Sequence, residues 1–158
     1  MKTTSNQNMG CSEFETEQEK WRDLVGGFIL AFGDVEVITH RLWKDHCRGK
    51  PPLFKPRVRA LLSALRNANP QNDEVIACLE AALSLVDRRN TIAHNPTQAQ
   101  VFQHSRTGEM LIEMAISSET SDDYIDDAKL KELSAEVEDL VTRLYISLGL
   151  VERESQLG

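Results

Sequence analysis

The sequence predicts an all-α fold, a bundle of four main helices with a short β-hairpin inserted between helices 3 and 4. Three observations carry this. Four stretches place apolar residues every three or four positions, the period of a helix with one buried face. One stretch after Pro96 changes to the period of a strand. Between the stretches the chain collects Pro, Gly, Asn and Asp, which turn or end regular structure. At 158 residues the chain is long enough for one domain with its own core, and 41% apolar with 27% charged residues is ordinary globular composition.

Residues 1–12 have no apolar period and are expected to form a flexible tail. The helical domain is expected over 13–150. Its first helix starts near Phe14 and ends about His46, on Trp21, Leu24, Val25, Phe28, Phe32, Val35, Ile38 or Thr39, and Leu42. Gly26 and Gly27 interrupt the pattern, at about 1 kcal/mol each relative to Ala. Gly26 and Gly33 share a face, which suits close approach of another helix; a kink at Gly26 and Gly27 is the alternative. Residues 47–56 form a basic connection containing Gly49, Pro51, Pro52 and Pro56. The second helix follows, with Val58, Leu61, Leu62 and Leu65 on one face. Residues 67–72 are a turn, and the third helix starts at about Asp73. Strands are expected over 99–103 and 109–116, joined through Ser105, Arg106, Thr107 and Gly108. Leu111 or Ile112, Met114 and Ile116 form their inward set. Residues 117–127 read as an acidic linker. The last helix covers about 125–148 on Leu133, Val137, Leu140, Val141, Leu144 and Leu148, and Gly149 stops it. Residues 151–158 are expected to fray.

The chemistry concentrates at the end of the third helix. Ile76, Leu79, Leu83 and Val86 form its apolar stripe, and further steps of four land on Asn90 and His94. Arg89 ends a second stripe after Cys78, Ala82 and Leu85. Polar groups at the end of a buried face need partners. Pro96 ends the helix. Simpler roles exist: His94 complements the helix dipole, Asn90 satisfies a turn, and Arg89 pairs with an acidic neighbour.

Arg89-Asn90-Thr91-Ile92-Ala93-His94 resembles the motif of the HEPN superfamily, an Arg followed after four to six residues by His, with a polar residue directly after the Arg. Arg88 fits the spacing as well, but only Arg89 is followed by Asn. The resemblance covers about ten residues in motif and roughly 14–148 in helix layout. It implies a HEPN-like helical bundle that dimerises with two motifs facing each other. It also implies metal-independent endoribonuclease activity in a toxin or defence effector, with Arg89, Asn90 and His94 catalytic. In that picture a polar residue of the first helix reaches the motif, and Glu36 is the candidate to orient Arg89 or His94; a surface carboxylate is the alternative. The second reading is a non-catalytic HEPN-like module that binds RNA or a protein partner, and a plain helical scaffold is the third.

The chemistry is consistent with the residue types. Imidazole moves protons in either direction near neutral pH. A guanidinium grips phosphate oxygens through its planar fork. One motif supplies one His, and two motifs across a two-fold axis supply both acid and base.

Net charge is −7, but residues 41–66 carry +7 and the remainder −14. Such asymmetry marks an RNA-binding patch or a solvated face. Its RNA-binding candidates are Arg41, Lys44, Arg48, Lys55, Arg57 and Arg59. Three scattered cysteines without a C-x-x-C argue against a disulfide framework and a four-cysteine zinc site. His40, His46 and Cys47 have the wrong spacing for a metal, so no metal or cofactor is expected. Cys78 reads as a small core residue, and Tyr124 as part of a solvated helix start. There is no P-loop, dinucleotide fingerprint or serine-hydrolase elbow. The first 20 residues contain no apolar leader, and the apolar run 24–32 is too short to span a bilayer. The expected setting is cytoplasmic, with RNA, a second copy of the chain and an antitoxin or regulatory protein as partners.

Overall fold

The computed structural model describes residues 6–120 and 122–150, with side chains from residue 11 onward. Four helices are present among them: α1 (Asn6–His46), α2 (Phe54–Arg66), α3 (Asp73–His94) and α4 (Asp127–Ser147). Helix α1 begins at Asn6 rather than near Phe14, so residues 6–12 of the expected tail are helical. The rest of that tail and the expected fraying at 151–158 lie outside the described residues. Helix α1 has 41 residues and runs unbroken through Gly26 and Gly27. A Cβ at Gly26, Gly27 or Gly33 would meet nothing within 4 Å, so among the described residues no other helix uses the close approach these glycines permit.

The apolar periods converge on one core. Phe28, Phe32, Leu61, Leu79, Leu130 and Leu144 are each fully buried, bringing all four helices together. Each such side chain contributes about 1.5–3 kcal/mol. The helix ends are closed locally. Asn72 accepts from the Val75 N–H at 3.2 Å, and Asp126 from the Lys129 N–H at 2.8 Å. Gly149, at φ +65°, ends α4 by donating to the Ile146 carbonyl, while Leu150 donates to that of Tyr145.

The insertion between α3 and α4 is larger than a hairpin. It is a three-stranded antiparallel sheet of β1 (Thr97–Gln103), β2 (Met110–Ser117) and β3 (Tyr124–Asp126), in that order. The expected four helices with a β insertion are present among the described residues, and the expected hairpin is corrected to a small three-stranded sheet on a mostly helical fold. Strand β3 falls in the expected acidic linker. Ile125 sits opposite Ile116 and is fully buried, which is enough to draw three residues into the ladder. A single apolar residue among acids has no period to read. In β2 the inward residues are Ile112, Met114 and Ile116, whereas Leu111 is 65% exposed. Gly108, at φ +72°, makes the turn that an L side chain would strain. Trp21 donates to the Thr97 hydroxyl at 3.0 Å, tying the sheet to α1.

Candidate functional site

Both stripes of α3 leave the core at the same end. Leu79, Val86, Ala82 and Leu85 are buried, Arg89 and Asn90 half-buried, and His94 exposed. The polar groups therefore stand at the rim of the core rather than inside it. They line a cleft of about 760 Å³ together with Glu36 and His40 of α1 and residues 51–57. Asn95 positions the last turn: its backbone N–H and its side-chain amide both donate to the Thr91 carbonyl, at 3.2 and 2.9 Å. The Asn-Pro after His94 is thus a helix cap followed by a proline stop, and it holds His94 at the mouth of the cleft.

The motif arginine is set by two neighbours. Its guanidinium lies 3.3 Å from the Glu36 carboxylate and donates to the Asn90 side-chain oxygen at 3.2 Å. Glu36 therefore meets Arg89, one of its two expected partners. Asn90 contacts Arg89 rather than the His94 ring or a backbone group. Arg88 pairs instead with Asp123, away from the cleft, which separates the two adjacent arginines. The Glu36–Arg89 pair is about one-third exposed on each side, so screening limits its worth to about 1 kcal/mol or less. Its consequence is positional: the guanidinium is held between Glu36 and Asn90 in the lining of the cleft.

Thr39 supports this arrangement from below. Its hydroxyl donates to the Glu36 carbonyl at 2.8 Å and accepts from the Arg57 Nε at 3.0 Å. Arg57, expected as an RNA contact, is 4% exposed. It also donates to the Pro52 carbonyl at 2.9 Å and lies 5.6 Å from the Phe54 ring centroid. Burial draws its guanidinium below the ordinary arginine range, and the Glu36 carboxylate opposes that shift. A buried cation needs such partners, so Arg57 is structural. It staples α1 to the 51–57 wall and is withdrawn from the RNA-binding set.

The other basic candidates divide. Lys55 lines the cleft and pairs with Asp87 at 2.5 Å. Arg41, Lys44, Arg48 and Arg59 are exposed and lie outside the cleft lining, with no ion pair among the described residues. Several residues of the cleft were not legible as members. His40 entered the sequence reading as a rejected metal ligand, yet it lies four residues from Glu36 on α1 and both line the cleft. Thr39, Phe54 and the prolines carried no motif. No three His, Cys, Asp or Glu side chains among the described residues group as a metal site. Burial raises the Cys78 thiol above its ordinary range, in keeping with a core residue. No described helix is long and apolar enough to cross a membrane. No family model, curated protein or solved structure matches this chain.

Proposed function

We propose that the chain is a HEPN-type, metal-independent endoribonuclease of single-stranded RNA, acting as a toxin or defence effector. The observation that carries this is the meeting of Glu36 with Arg89 in one cleft with His94. Arg89 holds the scissile phosphate and stabilises the charge that develops on it. Glu36 and Asn90 orient Arg89, and His94 moves a proton. The 2′-oxygen loses its proton and attacks phosphorus, the 5′-oxygen leaves with a proton, and the products are a 2′,3′-cyclic phosphate and a 5′-hydroxyl. Arg41, Lys44, Arg48 and Arg59 attract the RNA backbone from outside the cleft, and Lys55 from within it.

Acid and base call for two imidazoles. A homodimer supplies the second from a facing motif. Its support is the α1 stripe of Gly26, Leu30, Gly33 and Val37, where Leu30 is 75% and Val37 65% exposed. His40, in the same cleft, is the source within one chain. Sedimentation at micromolar concentration tests the dimer. His40→Ala tests the source: loss of cleavage assigns the second imidazole to His40 of the same cleft, and undiminished cleavage assigns it to the facing motif.

The deciding assay incubates a single-stranded RNA with wild type, His94→Ala and Arg89→Lys, with and without EDTA, alongside thermal melts. Cleavage by wild type alone, unaffected by EDTA, is the expected outcome. Equal cleavage by the variants overturns the reading. The exposed Leu30 and Val37 also favour a second reading, a non-catalytic module binding a protein partner or RNA. It takes over if no form cleaves.

A further inference from the structure

Leu53 breaks two local rules at once. It is 84% exposed, the most exposed of the large apolar side chains among the described residues. It also occupies the N-cap of α2 and makes no side-chain cap bond, although its carbonyl accepts the Arg57 N–H at 2.9 Å. Ser, Thr, Asp or Asn at that position would satisfy a free helix N–H and remove an apolar surface from water. A residue that is wrong for stability in both respects points to a use outside the fold.

Its surroundings indicate that use. Leu53 lines the same cleft as Arg89 and His94, on a wall with Pro51, Pro52 and Phe54. That wall is stiff. Its prolines restrict the backbone, Arg57 is bonded to the Pro52 carbonyl, and Phe54 is braced on Phe32 at 5.3 Å. An apolar wall facing a cationic group fits a ligand that joins a flat, weakly polar ring to an anion. A nucleotide has that form, and the volume of about 760 Å³ lies within the usual range for small-molecule sites.

We propose that residues 51–54 form a nucleobase subsite, with Leu53 and the proline faces packing on the base whose phosphate Arg89 holds. This rests on the reading of the cleft as an RNA site. The subsite lies within the basic segment 41–66, next to Lys55 in the same cleft.

The test titrates full-length wild type and Leu53→Ser with the four nucleoside 3′-monophosphates and with inorganic phosphate, and melts both proteins. Wild type should bind at least one nucleotide about ten-fold tighter than phosphate, the scale of covering one leucine side chain. Leu53→Ser should lose most of that margin and keep its phosphate affinity. It should also melt roughly 2–4 °C higher, because serine caps α2. Higher stability with lower nucleotide affinity is a combination that a purely structural leucine does not give. The proposal is overturned if wild type shows no margin over phosphate, or if Leu53→Ser keeps it. Loss of dimer mass in Leu53→Ser with nucleotide affinity unchanged would assign the leucine to a second copy instead. A nucleotide margin without RNA cleavage would leave the subsite standing and remove the ribonuclease reading; cleavage without the margin would do the reverse.

Discussion

At its N-terminal end α3 is capped by Asn72, carries Asp73 and Glu74 in its first turn, and is tied to α4 where Glu74 meets Arg143 at 2.6 Å. Val75, Ile76, Cys78 and Leu79 behind them are buried. At its C-terminal end the same stripes pass to Arg89, Asn90 and His94, which face a cleft instead of a core. The first end satisfies its own polar groups and adds to stability. The second leaves donors and an imidazole open to solvent, with only enough bonding to orient them. One helix thus divides into a part that holds the fold and a part that the fold holds in place.

Substitutions at the two ends should separate by what they change. The largest effect is expected from His94→Ala, which should lower RNA cleavage by about 10²–10⁴-fold. Its melting temperature should match wild type, because His94 is exposed. A large drop in melting temperature would make the C-terminal end structural and erase the contrast. Arg89→Lys comes next. It keeps the charge but cannot span Glu36 and Asn90 together, so cleavage should fall roughly ten-fold or more with stability little altered. Wild-type rates in that variant would show that a point charge suffices and that the fork has no role.

At the other end, Asn72→Ala should cost about 1 kcal/mol in chemical denaturation and leave cleavage per folded molecule unchanged. A change in cleavage would mean that the two ends are coupled through the helix. The smallest effect concerns pH. The hydrogen bond from Arg143 lowers the Glu74 carboxyl below its ordinary range. Its contribution is therefore present above the unfolded carboxylate range and is lost as pH falls through the lower folded value. Melting curves of wild type and Glu74→Gln should differ slightly at neutral pH, converge in acid, and differ less at high salt because the pair is exposed. A difference that grows in acid would contradict the assigned sign.

Much of this was readable from order and spacing alone. The four helical periods, the turn at Gly108, the stop at Gly149 and the emergence of Arg89 and His94 from an apolar stripe all follow from neighbours within a few residues. Such signals are local, and local sterics and hydrogen bonding act on them in any context. The surface expectation for Arg57 did not survive, because its burial depends on Thr39 and Pro52, 18 and 5 residues away, arriving at its guanidinium. The difference between Arg88 and Arg89 was likewise settled by Asp123 and Glu36, on segments far apart in the chain. Strand β3 formed because Ile125 found Ile116 across a ladder, and the cleft exists because the 51–57 wall folds back against α1 and α3. The sequence by itself determined which segments are helices and where polar chemistry interrupts them. Only the tertiary structure decided which charges are buried, which are paired and which face a common space, since those outcomes depend on partners that become neighbours only when the chain has folded.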